Sequence, residues 1–227
     1  MAGPAPVAPG DEPPPEPPPD LARRTLRTYP LGATPDGDAT LPVGTTLWRI
    51  FRPPYDPLWF GPAVGGAPEN RFDDPRRADP GAAATFGVCY VGITREATFA
   101  ESFLRAPALG SVPHAAVDAR GMARLAVARP LRLVALLGPG LKVAGATAAV
   151  AHGPQSVARR WARALWAHPS APDGIAYRCR HDDGEVAVAL FDRAGDGLAV
   201  VESRRLRDDR AWFGATLDRY RLALDPP

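Results

Sequence analysis

One segment of the sequence carries several of the side chains that could act on a substrate. It reads FGVCYVGITREATFAESFLR over residues 86–105, which predicts a strand, a tight junction and a helix capped by Thr94. At 100° per residue, Glu101 lies ~40° from Ala97, at the edge of the buried stripe of that helix. Its carboxylate is either a boundary group with a solvated head or a group in a cleft. In a cleft it could bind a sugar hydroxyl or stabilise developing positive charge.

Two arginines precede this segment. Arg49 lies within LWRIF, where alternation puts it on the same face of a strand as Leu47 and Phe51. A guanidinium among apolar neighbours needs a partner, so Arg49 either pairs with an internal carboxylate or binds an anion such as a phosphate. Arg71, in ENRFDDP, lies in a loop rich in Pro and Gly.

Tyr90 is central in its predicted strand, where it either fills the core or stacks on a flat heterocycle and donates its hydroxyl. A second segment, DGIAYRCRHDD, places Tyr177, Cys179 and His181 on one face of a short predicted strand. A nucleophilic pair of Cys179 and His181 is one reading of this pattern, although residues two apart on a strand need not be in hydrogen-bond contact. No metal-ligand spacing occurs there, so we predict no metal site.

These residues must be positioned by short strands mixed with a few helices. Segments rich in β-branched, aromatic or aliphatic residues predict strands over 45–51, 86–93, 131–137, 185–191 and 198–202. Helical periodicity is present around residues 157–165 and 212–224, the latter with Asp208 or Asp209 as N-cap. Because strands and helices do not alternate strictly, we expect an α+β fold in one domain over residues 41–225. Residues 1–40 are rich in Pro and predict a disordered tail.

The composition excludes several classes of function. A formal charge of +2 argues against a protein that coats nucleic acid. The basic helix around residues 155–168 is more simply explained as a solvated face opposite an apolar one. The dinucleotide-binding, P-loop, zinc-protease and α/β-hydrolase motifs do not occur. With two separated cysteines and no signal peptide or membrane-spanning run, we expect a cytoplasmic protein in a reducing compartment that makes no direct contact with nucleic acid or a membrane.

In their order along the chain, these segments resemble the RES domain family. The resemblance rests on LWRIF, NRFDDP, FGVCYVGITREATFAESF, DGIAYRCRHD, VALFDR and the closing VVESRRLRDD…LDRY. It implies a fold similar to that of ADP-ribosyltransferases, with mixed sheets flanked by a few helices. It also implies an NAD-degrading toxin of a bacterial toxin–antitoxin pair, with NAD as substrate, inorganic phosphate as a candidate co-substrate and no separate cofactor.

The resemblance also implies roles for five residues of this chain. Glu101, Arg49 and Tyr90 would be catalytic, while Arg71 and Cys179 would bind NAD or phosphate. The sequence departs from the family at Cys179, because the family usually carries Ser there. A thiol is larger than a hydroxyl and donates a weaker hydrogen bond, which puts the role of this residue and the level of activity in question.

The mechanism that the resemblance implies is cleavage of the bond between nicotinamide and ribose, by phosphate or by water. Two other functions stay open: an ADP-ribosyltransferase that modifies a macromolecule, and a non-catalytic binding module with the same fold. The resemblance further implies a cognate antitoxin with an Xre-like helix-turn-helix part, a part that this chain itself lacks. The resemblance is also compatible with a homo-oligomer.

Overall fold

A mixed sheet of eight strands forms the centre of the molecule in the computed structural model, which describes residues 15–30, 39–79, 81–82, 85–105 and 110–226. Two further strands form a small parallel pair. The strands are β1 (Thr28–Tyr29), β2 (Thr46–Phe51), β3 (Val88–Gly92), β4 (Ser111–Val112), β5 (Gly121–Val127), β6 (Leu133–Leu136), β7 (Gly174–Cys179), β8 (Asp182–Phe191), β9 (Leu198–Arg205) and β10 (Ala223–Leu224).

The order of strands in the sheet is β1-β6-β7-β8-β3-β2-β5-β9, so most neighbours in space are distant in sequence. Only β6 and β7 run parallel within it, and the segment that joins them holds three helices. β8 lies between β7 and β3, antiparallel to both. It therefore brings the segments around Tyr177 and Tyr90 onto one surface.

The two faces of the sheet bury different clusters, as strand alternation requires. On β3, Cys89 and Val91 belong to an inner cluster whose members come from the strands and short connecting segments. Tyr90 packs on the opposite, outer face, where the helices cover the sheet. The inner cluster runs across the sheet, since β2, β3, β5, β6, β7, β8 and β9 all contribute to it.

In the described part of the chain, six α-helices flank the sheet: α1 (Arg95–Phe103), α2 (His114–Asp118), α3 (Pro139–Ala144), α4 (Ala149–His152), α5 (Gln155–Trp166) and α6 (Arg210–Tyr220). The hydroxyl of Thr94 caps α1 by accepting from Ala97 N at 3.0 Å, as the sequence predicts. Asp209 caps α6 by accepting from Trp212 N at 3.1 Å. Among the residues described, no helix combines the length and apolar character needed to cross a membrane.

The N-terminal prediction needs a correction. Residues 15–27, which we call the N-terminal strap, pack against α5 and lead into β1, so this part of the predicted tail belongs to the domain. Leu21 and Leu26 are buried in the outer core, 3% and 9% exposed. The carbonyl of Pro15 accepts a hydrogen bond from Trp161 Nε1 at 2.7 Å, so an indole that is 0% exposed has a partner. Residues 1–14 and 31–38 of the predicted tail lie outside the described residues.

The predicted α+β class is confirmed. The five predicted strands correspond to β2, β3, β6, β8 and β9, and the short strand predicted around Tyr177 corresponds to β7. The predicted helices correspond to α1, α5 and α6, although α6 ends at Tyr220 and residues 223–224 of its predicted range form β10. Besides the two-residue strands β1, β4 and β10, the prediction misses β5, GMARLAV, which pairs with both β2 and β9. Its alanines and Arg124 lack the β-branched and aromatic character that marks strands in a sequence.

Candidate active site

Glu101 lies on the second turn of α1, over the outer face of the sheet. The preceding residues 97–100 are buried, while Glu101 is half-buried, which matches its predicted position at the edge of the stripe. Its Oε1 accepts from the backbone N of Arg180 at 3.2 Å, and its Oε2 accepts from the hydroxyl of Tyr177 at 3.4 Å. These donors come from β7 and the turn after it. The carboxylate therefore has a defined orientation in a partly solvated cleft.

Arg71 and Tyr90 share this face with Glu101. Arg71 Nη1 donates to Gly153 O at 2.7 Å, which ties the loop before β3 to the end of α4. The hydroxyl of Tyr90 donates to Asp73 Oδ1 at 2.9 Å and accepts from Phe72 N at 2.9 Å. Burial raises the pKa of Tyr90 well above its usual value, so the phenol is protonated at neutral pH.

The electrostatic surroundings show that the cationic and anionic groups of this face are close together. Burial, and next the charge of Arg180, lower the pKa of Arg71, while Glu101 acts in the opposite direction. The guanidinium nevertheless stays charged at pH 7, since its ordinary pKa exceeds 12. Burial and then Arg180 lower the pKa of His181, so this imidazole is mostly neutral at pH 7.

Cys179 lies beneath Glu101 and is not a surface group. It is 0% exposed, and its Sγ lies 3.7 Å from Ala97 O on α1. Burial raises the pKa of the thiol, and the charge of Glu101 raises it further. A thiolate is therefore disfavoured here, which argues against the Cys179–His181 nucleophilic pair. His181 itself follows β7 in a turn and does not continue the strand.

The structure does not bring Arg49 to this group. Its Nη1 donates to Pro57 O at 2.6 Å and Trp59 O at 2.9 Å and lies 2.7 Å from Cys89 Sγ. Because Cys89 belongs to the inner cluster, Arg49 points to the face of the sheet opposite Tyr90. The sequence offers an internal carboxylate as one partner for Arg49, whereas the structure pairs it with two carbonyls and a thiol. Its role in binding NAD stays a prediction.

Three residues of the site were not selected from the sequence: Asp73, Tyr177 and Arg180. Tyr177 and Arg180 contact Glu101 directly, and the alternation of side chains along β7 already put Tyr177 on the same face as Cys179. Asp73 is 0% exposed and binds Tyr90. Its only sequence signal is a carboxylate directly after a phenylalanine in a loop, which does not distinguish it from a solvated acid.

We call the set formed by Arg71, Tyr90, Glu101, Tyr177, Cys179 and Arg180 the Glu101 cluster. It combines one carboxylate with two guanidinium groups and the partly buried side chain of Tyr90. Such a set can hold an anionic ligand while its carboxylate faces a centre that gains positive charge. Within the described part of the chain, no three His, Cys, Asp or Glu side chains converge as a metal site would need.

Neither cysteine is expected to react with iodoacetamide at pH 8 in the folded protein. Both are buried, and burial raises the pKa of each thiol, so the reactive thiolate is scarce. Mass spectrometry of tryptic peptides would measure alkylation of Cys89 and Cys179, with protein unfolded in urea as the fully modified control. Rapid alkylation of Cys179 in the folded state would restore it as a candidate nucleophile.

Comparison with known proteins agrees with the resemblance seen in the sequence. The family model described as RES domain matches residues 46–212, which is most of the chain. A protein named "Probable toxin y4kH" from Sinorhizobium fredii (strain NBRC 101917 / NGR234) is 37% identical over 103 residues. That alignment covers 45% of this chain and 80% of the Sinorhizobium protein.

A similar fold occurs in the crystal structure of the M. tuberculosis MbcT–MbcA toxin–antitoxin complex. The TM-score is 0.56 at 16% sequence identity, and the superposition covers 81% of this chain and 92% of the other. At that identity the likeness concerns the fold alone.

Proposed function

Because the chain belongs to the RES domain family, we propose that it is a toxin that consumes NAD by cleaving the bond between nicotinamide and ribose. The observation that carries this proposal is the Glu101 carboxylate, oriented by Arg180 N and the Tyr177 hydroxyl beside the cation of Arg71. The similarity to proteins named as toxins supports the biological role. The charges of the site support the proposed chemistry.

The leaving group needs little assistance in this reaction. Nicotinamide in NAD is a pyridinium, which departs as a neutral molecule while the ribose carbon gains oxocarbenium character. The enzyme therefore has to orient the ribose and stabilise positive charge, as the second carboxylate does in glycoside cleavage. Glu101 would bind a ribose hydroxyl and balance this charge. Both groups that donate to it, a backbone N–H and a phenol, are uncharged.

The phosphates of NAD need cationic partners, and the cluster offers two. Arg71 has donors left besides the Nη1 that binds Gly153 O, and Arg180 is exposed beside it. Guanidinium groups bind phosphate oxygens through paired N–H donors. Tyr90 would pack its ring against the nicotinamide or its ribose. Attack by inorganic phosphate yields ADP-ribose 1″-phosphate, and attack by water yields ADP-ribose.

One experiment tests the reaction. The purified chain is incubated with NAD, with and without inorganic phosphate, and free nicotinamide and the ribose product are separated by chromatography. Release that requires phosphate identifies phosphorolysis, and release without it identifies hydrolysis. Transfer of labelled ADP-ribose to a macromolecule would favour an ADP-ribosyltransferase. No release by the wild-type chain would overturn the proposed enzyme and favour a binding module.

The substitution Arg71→Lys is expected to raise KM for NAD about 10-fold with a kcat change below about 3-fold. Lysine keeps the charge but cannot bind Gly153 O and a phosphate with one planar group. Steady-state kinetics of nicotinamide release would measure both constants. Arg178→Lys is the matched control, because Arg178 is exposed on β7 next to Tyr177 and binds Gly184 O away from the cluster. Equal effects of both variants would remove Arg71 from substrate binding.

The proposed toxin requires a protein inhibitor. We propose an antitoxin with an Xre-like helix-turn-helix part, in keeping with the toxin–antitoxin assembly of the structural relative. Expression of the chain alone should stop growth, and co-expression of the product of a neighbouring reading frame should restore it. Growth arrest that persists when NAD cleavage is lost by mutation would separate toxicity from the proposed reaction.

A further inference from the structure

A fully buried carboxylate, Asp73, holds the loop that carries Arg71. Its Oδ2 accepts from Glu69 N at 2.9 Å, from Asn70 N at 2.7 Å and from Asn70 Nδ2 at 3.4 Å. Its Oδ1 is left for the hydroxyl of Tyr90, at 2.9 Å. A carboxylate that is 0% exposed is costly to bury unless its lone pairs are occupied, and here the chain supplies those partners.

The hydroxyl of Tyr90 is fully engaged by this loop. It gives its single proton to Asp73 and accepts from Phe72 N, the residue between Arg71 and Asp73. A phenol has one proton to donate, so Tyr90 cannot donate a hydrogen bond to a ligand while this contact persists. The rest of the Tyr90 side chain is partly buried, packed against the outer core. The contact with Asp73 therefore fixes which surface the tyrosine presents.

The same loop is anchored at two other points. The ring of Phe72 is 0% exposed and packs on the ring of Tyr177, with centroids 4.9 Å apart. Arg71 binds Gly153 O from the opposite side. With Asp73 bound to the backbone N–H groups before Arg71 and to Tyr90 on β3, the guanidinium and the tyrosine ring are held as one unit.

The adjacent Asp74 provides a contrast. It is also 0% exposed, but it accepts from Phe86 N at 3.1 Å and pairs with Arg163 at 3.2 Å. It thus ties the loop to α5 without touching Tyr90 or the backbone that precedes Arg71. Two neighbouring buried carboxylates therefore have separate partners, which makes Asp74 a matched control for Asp73.

We propose that Asp73 is a positioning residue that acts through Tyr90, orienting its ring and the Arg71 loop for the substrate. This inference rests on the proposed NAD cleavage and adds to it a group that does not touch substrate. Displacing a reacting or binding group by about 1 Å can cost about 10²-fold in rate. We therefore expect Asp73→Asn to lower kcat/KM for nicotinamide release about 10²-fold.

A double-mutant cycle separates positioning through Tyr90 from a general loss of stability. Asp73→Asn, Tyr90→Phe and the double variant are compared for kcat/KM at a temperature where circular dichroism shows each to be folded. We expect the loss of kcat/KM from Asp73→Asn to be at least about 10-fold smaller once Tyr90 is Phe, because only the effect on the Arg71 loop then remains. The fold-losses of kcat/KM from Asp74→Asn and Tyr90→Phe should instead multiply in their double variant, since Asp74 does not contact Tyr90. If Asp73→Asn does not fold, Asp73→Ser replaces it, because its hydroxyl still accepts a hydrogen bond.

The same single and double variants are also compared by urea unfolding, a measurement that does not depend on activity. The shifts of the unfolding midpoint caused by Asp73→Asn and Tyr90→Phe should be non-additive in their double variant. The shifts caused by Asp74→Asn and Tyr90→Phe should be additive. If the wild type releases no nicotinamide, the proposed reaction fails, and the unfolding cycle still tests the contact. Additive effects of Asp73 and Tyr90 on kcat/KM, or no coupling between them in unfolding, would overturn the positioning role.

Discussion

Replacing Glu101 with glutamine is expected to lower kcat/KM for nicotinamide release from NAD by about 10³-fold. The amide is nearly isosteric, and its oxygen can still accept from Arg180 N or the Tyr177 hydroxyl, so the fold should be retained. What is lost is the negative charge that faces the oxocarbenium-like ribose. Because that charge acts mainly in the transition state, kcat should fall much more than the affinity for NAD.

Glu96→Gln is the matched control for this prediction. Glu96 lies on the same helix, and its Oε1 accepts from Trp212 Nε1 at 2.8 Å, away from the cluster. Its amide variant should keep that hydrogen bond and the wild-type rate within about 2-fold. A Glu101→Gln variant that is folded by circular dichroism and releases nicotinamide at the wild-type rate would exclude Glu101 from the mechanism.

The second large effect concerns the N-terminal strap. Leu21→Ala is expected to lower the free energy of unfolding by about 3 kcal/mol, because the leucine is 3% exposed within the outer core and its loss leaves a cavity. For a domain of this size that corresponds to a melting temperature lower by roughly 6–12 °C. Urea unfolding followed by circular dichroism and thermal melts would measure the two quantities.

Glu16→Gln in the same strap supplies the comparison. Glu16 forms an ion pair with Arg160, and both side chains are about half exposed. Exposed pairs contribute less than about 1 kcal/mol, so this variant should melt within a few degrees of the wild type. If Leu21→Ala is as stable as Glu16→Gln, the strap does not anchor the domain through its leucines.

The sequence correctly predicts which face a site residue occupies where the periodicity of a single helix or strand determines it. Glu101 has its predicted place on α1 because the periodicity of one helix determines which side chains lie at the edge of its buried stripe. Alternation along β7 likewise assigns Tyr177 and Cys179 to one face. These are local rules, and the sheet preserves them.

Relations between elements could not be predicted in this way. Arg49 and Tyr90 lie on adjacent strands but face opposite sides of the sheet, which depends on the β2–β3 register. The burial of Asp73 depends on a loop folding back onto Tyr90. The prolines of the strap predict disorder, whereas two buried leucines pack it on the outer core and one carbonyl accepts a hydrogen bond from α5.

The strand order also has a consequence for when activity can first arise during synthesis. Residues 71–101 leave the ribosome well before β8, the strand that joins β3 to β7. Until Asp182–Phe191 is made and paired, β3 and β7 are not held in one sheet, so Glu101 cannot make its contacts with Tyr177 and Arg180. Pairings between such distant segments are slow to form. A nascent or truncated chain that ends before β8 is therefore expected to lack the arranged Glu101 cluster, and the proposed NAD cleavage would begin only after the finished chain has paired β8 with β3 and β7.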